Sequence, residues 1–79
     1  MDRIEKFLKQ LGEKDRLIML AVLADIRRLE LDRYDVKALK GYKGVYRLRK
    51  GKIRFVFAET QSGGVLIDIN YRSKIYRDL

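Results

Sequence analysis

Apolar residues at Ile4, Phe7, Leu8 and Leu11 recur at helical spacing, which predicts a short helix over residues 2–11 with Asp2 able to cap its start. Gly12 interrupts the pattern, and residues 13–31 then read as a longer helix. Glu13 and Asp15 fall in its first turn, where the helix dipole favours acid. The centre of that helix, Leu17 to Ala24, is apolar on every side. One face is expected on a sheet, which leaves another for the first helix or for a partner. Residues 32–44 read as a connection ending in Gly41 and Gly44. The period then changes to two, and strands are predicted over about 45–50, 52–59 and 65–71. Gly51 marks the first turn and Ser62-Gly63-Gly64 the second, while residues 73–79 read as a tail or short helix. The expected fold is α+β: two N-terminal helices packed on one face of a three-stranded antiparallel meander, as a single domain over residues 1–79.

The alternation also predicts a register. With Lys50-Gly51 at the tip of a two-residue hairpin, Arg49 faces Lys52, Arg47 faces Arg54 and Val45 faces Val56. On the other face Leu48 meets Ile53 and Tyr46 meets Phe55, so Tyr46 points to the core, as Tyr71 does from the third strand. A five-residue loop over 60–64 puts Asn70 opposite Arg54 and Arg72 opposite Lys52, with Val65, Ile67 and Ile69 alternating against Leu66, Asp68 and Asn70. Arg47, Arg49, Lys52, Arg54 and Arg72 then emerge from one surface with Asn70 among them, and Asp68 is that surface's one acid.

Charge sharpens this picture. The net charge is +8, and residues 36–58 carry eight basic side chains and no acidic one, while the flanking segments are neutral. Like charges opposed across a sheet cost roughly 0.2–1 kcal/mol per pair, and the fold does not demand them. A concentrated cationic face is the footprint of a polyanion binder. The plainer alternative is a solvated strand face whose cations discourage aggregation. Lys43 and Lys50 extend the positive stretch, and Tyr42 and Tyr76 are placed to border it, where a ring beside cations suits stacking on an unpaired base.

The chain has no cysteine and no histidine, which excludes disulfides, thiolate metal sites and the usual general base. No tight carboxylate cluster offers a metal site, so neither metal nor cofactor is expected. The longest apolar run, Leu17 to Ala24, is eight residues, far short of a membrane span, and the first residues lack a signal-peptide core. Cytoplasmic residence without membrane contact is the expectation.

The stretch from Leu39 to Phe57, Leu-Lys-Gly-Tyr-Lys-Gly-Val-Tyr-Arg-Leu-Arg-Lys-Gly-Lys-Ile-Arg-Phe-Val-Phe, resembles the central hairpin of the RelE/ParE toxin superfamily. The ending from Asn70 to Arg77, Asn-Tyr-Arg-Ser-Lys-Ile-Tyr-Arg, resembles that family's closing motif. The two stretches cover about a third of the chain, and the helices agree in order and placement. The resemblance implies the RelE-like branch of type II toxin–antitoxin systems: a metal-free endoribonuclease that cleaves mRNA on the ribosome, inhibits translation and is neutralised by a cognate antitoxin. It implies a catalytic set of Arg47, Arg49, Arg54, Arg72 and Tyr76. Charge and register, apart from the resemblance, add Lys43, Lys50, Lys52 and Asn70 as expected nucleic-acid contacts.

Three departures qualify the match. The chain lacks the family's usual N-terminal strand, which predicts an open sheet edge for a partner chain. Tyr71 stands where the family often has His, and both cations of the first hairpin strand are arginine. Arginine does not deprotonate at ordinary pH, so phosphate recognition is expected ahead of fast cleavage. Two other readings follow from the same residues: a ParE-like gyrase inhibitor, and a catalytically inactive RNA-binding or toxin-derived protein. The small core and the helix apolar all round predict self-association, through the open sheet edge or that helix.

Overall fold

Residues 3–71 are described by a computed structural model of the chain. It runs α1 (Arg3–Gln10), α2 (Glu13–Arg28), β1 (Asp35–Ala38), β2 (Val45–Lys50), β3 (Ile53–Thr60) and β4 (Gly63–Tyr71). The four strands form one antiparallel sheet in the order β1-β2-β3-β4. The expected three-stranded meander is therefore incomplete. Asp35–Ala38, expected in a connection, is a fourth strand pairing with β2 from Asp35↔Arg49 to Ala38↔Tyr46. The sequence pattern hides it because an exposed four-residue edge strand carries one partly buried apolar residue, Val36. Its order comes from hydrogen bonds to β2 rather than from its own burial.

The helices cover one face of the sheet. Phe7 and Leu11 at α1, and Met19, Val22 and Ile26 on α2, close a core with Leu48, Ile53, Phe55, Phe57 and Ile69. Helix α2 ends in a left-handed residue that is not glycine: Leu29 has φ 57°. Its N–H reaches Ile26 O at 3.0 Å and the Glu30 N–H reaches Asp25 O at 2.9 Å, the paired bonds of a Schellman ending. A left-handed leucine costs about 1–2 kcal/mol, and here its side chain packs against the core.

Two turns differ from expectation. The β2–β3 turn is Gly51-Lys52, not Lys50-Gly51, so Lys50 pairs with Ile53 and Arg49 with Arg54. Gly51 takes φ 61°, the positive angle that a two-residue hairpin needs at its first central position. Placing Lys50 there would force that angle on a side chain. The register moves by two residues, which preserves the inward and outward assignments of residues 45–49 and 53–56. The β3–β4 turn is also two residues, Gln61-Ser62, rather than the five expected. The Thr60 hydroxyl fastens it, accepting from Ser62 N–H at 3.1 Å and donating to Gly63 O at 2.8 Å.

The surplus residue is taken up by a bulge in β4. Val56 pairs with Asp68 but Phe57 pairs with Leu66, leaving Ile67 extra. The bulge reverses the alternation on its N-terminal side. Leu66, expected outward, packs on the core, while Val65 and Ile67 are each 52 % exposed.

Candidate nucleic-acid interface

The register stacks residues into rows across the sheet. Val36, Leu48, Phe55 and Ile69 form an inner row, and Ala38, Tyr46, Phe57 and Leu66 a second. Tyr46 stacks on Phe57 with centroids 5.7 Å apart, and Tyr71 meets Phe7 edge-on at 5.4 Å, so both tyrosines serve the helix side. The outer rows carry the polar chemistry. One is Asp35, Arg49, Arg54 and Asn70; the other is Lys37, Arg47, Val56 and Asp68.

Like charges are opposed in both outer rows, though in pairs other than those the sequence predicts. Arg49 faces Arg54, where Lys52 was expected, and Arg47 faces Lys37 and Val56 rather than Arg54. Asn70 does face Arg54. The new strand changes the electrostatics. It adds Lys37 to the face and sets Asp35 beside Arg49, Nη2 to Oδ2 at 3.4 Å with both side chains nearly half exposed. Asp68 is drawn to Arg3 of α1 at 3.0 Å. Among the described residues the face therefore holds four cations and two carboxylates rather than an unbroken cationic ladder.

Depth separates these cations. Arg49 is exposed and Arg47 half-buried, but Arg54 is only 3 % exposed, and Val56 beside it 5 %. The outer side of β3 is thus buried at its centre, not solvated as an open ladder. A guanidinium at that depth is retained only with compensating partners, and both Arg47 and Arg54 are engaged within the chain.

The expected lysines scatter. Lys52 is at the hairpin tip, adjoining the Arg49–Arg54 row. Lys50 shares its register with Ile53 and Tyr71 and lines grooves with Ile18 of α2, on the helix side of the sheet. Lys43 lies in the β1–β2 connection, at the opposite end of β2 and roughly 20 Å along the strand from the tip. Arg72 and Tyr76 lie outside the described residues. Arg47, Arg49, Arg54 and Asn70 are therefore brought together, with Lys52 at their margin.

Sequence reasoning missed a second polar cluster. Asp25, 5 % exposed on α2, accepts a hydrogen bond from the Tyr34 hydroxyl and one from Arg28 Nη2 at 2.7 Å, with Arg33 Nη2 at 3.5 Å. The Tyr34 bond holds the Asp25 carboxyl below its ordinary range; burial opposes this, and Arg33 and Arg28 add to the lowering. Burial, then the bond to Asp25, pushes the Tyr34 phenol up. Asp25, the acid that follows the apolar run Leu17–Ala24 directly, is the sequence signal that marks this clasp. It ties the end of α2 to the segment entering β1.

Among the described residues no group of three acidic, histidine or cysteine side chains is placed to hold a metal ion. No described helix is long and apolar enough to cross a membrane.

No protein-family model matches the sequence, and no curated protein matches it. Among solved structures, the chain is similar to one chain of the crystal structure of the RelB-RelE antitoxin-toxin complex from Methanococcus jannaschii. The TM-score is 0.72 at 23 % identity, over 94 % of this chain and 89 % of that one. The likeness shows a shared fold.

Proposed function

We propose that this chain is a RelE-like toxin of a type II toxin–antitoxin pair, an endoribonuclease that cuts mRNA on the ribosome. The observation that carries the reading is the outer row in which Arg49, Arg54 and Asn70 stand side by side on adjacent strands, with Arg47 in the next row. The fold shared with a chain of an antitoxin-toxin complex supports it, as do the two sequence stretches that resemble the superfamily.

On this reading the ribose 2′-oxygen attacks the adjacent phosphorus, the bond to the 5′-oxygen breaks, and that oxygen takes a proton. The products are a 2′,3′-cyclic phosphate and a 5′-hydroxyl. Arg49 and Arg47 hold the backbone and stabilise charge building on the phosphoryl oxygens. Arg54 adds positive charge from beneath, and Asn70 offers an amide beside it. Arg72 completes the phosphate grip and Tyr76 stacks on a base. A guanidinium does not accept the proton from the 2′-hydroxyl, so Lys52, Tyr76 or water takes it.

The test is incubation with translating ribosomes and mapping of mRNA ends. New ends bearing cyclic phosphate are expected with the wild type and not with Arg49→Ala. Absence of new ends, or equal cutting by the variant, removes the reading. A second reading, an RNA binder without cleavage, is favoured by the pairing of Arg49 with Asp35 and the depth of Arg54. It predicts salt-dependent RNA affinity with no product on ribosomes.

A further inference from the structure

Helix α2 spends one face on the core through Met19, Val22 and Ile26, and Asp25 on the clasp with Tyr34. The face turned away from the core is still apolar. Leu17 is 62 % exposed and Leu20 44 %, with Ala21 exposed and Ala24 half-buried beside them. Apolar side chains gathered on one exposed face mark an interaction site. Glu13, Leu17, Leu20, Ala24 and Arg27 are separated by steps of four and three, the period of a coiled-coil seam and not of a solvated helix face. The acid is at the N-terminal end of the seam, and Arg27 and Arg28 are at the C-terminal end.

We infer that this seam docks a second copy of the same chain, with the two α2 helices antiparallel about a two-fold axis. The pattern is self-complementary in that arrangement. With the axis between Leu20 and Ala21, Leu17 of one copy meets Ala24 of the other and Leu20 meets Ala21. Large side chains face small ones, which lets the helix axes approach closely. Glu13 of each copy falls beside the Arg27-Arg28 turn of the other, so opposite charges close both ends, and the two helix dipoles run in opposition. Arg28 is already paired with Asp25 at 2.7 Å and Glu30 at 3.2 Å, so Arg27 is the main cation facing Glu13 of the other copy. A parallel pair would set Glu13 against Glu13 and arginine against arginine. A two-fold contact of this kind closes on itself and stops at the dimer. It uses none of the cations on the opposite face of the sheet, so it stands apart from the toxin reading.

The test is sedimentation equilibrium of the full chain over a wide concentration range. The mass is expected to rise from 9.4 kDa toward twice that value. The double variant Leu17→Glu/Leu20→Glu should stay at the monomer mass while keeping its circular dichroism. Because the natural chain has no cysteine, a single Leu20→Cys gives an independent readout that preserves an uncharged side chain. Under a mild added oxidant it should form disulfide-linked dimers several-fold faster than Lys9→Cys on α1. A monomer at the highest concentrations overturns the proposal, and is also the outcome if a different protein covers the seam. So does a dimer that persists in the double variant, which points to pairing at a sheet edge, and so does cross-linking no faster at Leu20 than at Lys9.

Discussion

A methyl group added to Gly64 would stand 2.1 Å from the Ile26 carbonyl oxygen, because the start of β4 lies directly against the end of α2. Backbone meets backbone there, and neither side has a flexible atom to withdraw. Gly64→Ala is therefore expected to lower stability by about 1–3 kcal/mol, the range for overpacked sites. Urea unfolding checks this; a change below about 0.5 kcal/mol, the scale of an ordinary surface substitution, would contradict the contact. Gly63, with φ 120° and the Arg27 carbonyl oxygen 2.2 Å from where an added methyl would stand, should behave alike.

The Asp25–Tyr34 clasp predicts acid sensitivity of definite sign. The Asp25 carboxyl is held below its ordinary value of 3.8, first by the Tyr34 hydroxyl. A lowered carboxyl stabilises the fold above its unfolded-state value, and that stability is lost as pH falls through the lowered one. Tyr34→Phe removes the main cause, so its acid unfolding should begin at higher pH than the wild type's. Thermal melts across roughly pH 2 to 7 read the difference; superimposable profiles would dismiss the clasp as a pH-dependent element.

Arg54 and Arg49 should separate by stability. Arg54 is nearly inaccessible while Arg49 is exposed in a surface ion pair. Arg49→Ala is expected to change stability by about 1 kcal/mol or less, since exposed pairs contribute little. Arg54→Ala should cost more, because it leaves the groups compensating a buried charge without it. Equal and small losses for both would mean that Arg54 is not held at depth.

Asp35 and Arg49 give a prediction for RNA binding. The carboxylate lies 3.4 Å from the guanidinium and offsets its charge. Asp35→Asn should tighten binding to single-stranded RNA, and Arg49→Ala should weaken it and lower the salt slope by roughly 0.7, the loss of one phosphate contact. Binding curves at three or more salt concentrations measure both; a slope unchanged in Arg49→Ala removes this side chain from the interface.

Period and burial are local properties, and what rests on them could be read from the chain. Phe55, Phe57, Leu48 and Ile69 alternate with Arg54, Val56, Arg47 and Asn70, so inner and outer positions were legible, as were the two helices and the stretch that holds the net charge. Those assignments survive the two-residue change in hairpin register because side chains repeat every two residues.

The tertiary structure decided what depends on backbone angles and on long-range pairing. Gly51 rather than Lys50 takes the positive φ, so Arg49 stands opposite Arg54. The bulge at Ile67 turns Leu66 inward, and β1 exists because β2 offers it hydrogen bonds, which sets Asp35 against Arg49. The burial of Arg54 and the clasp of Asp25 by Tyr34, nine residues on, arise where separate segments converge. A one-dimensional pattern carries the facing of each residue, but the partner opposite it is set only when turns, bulges and edges close in space.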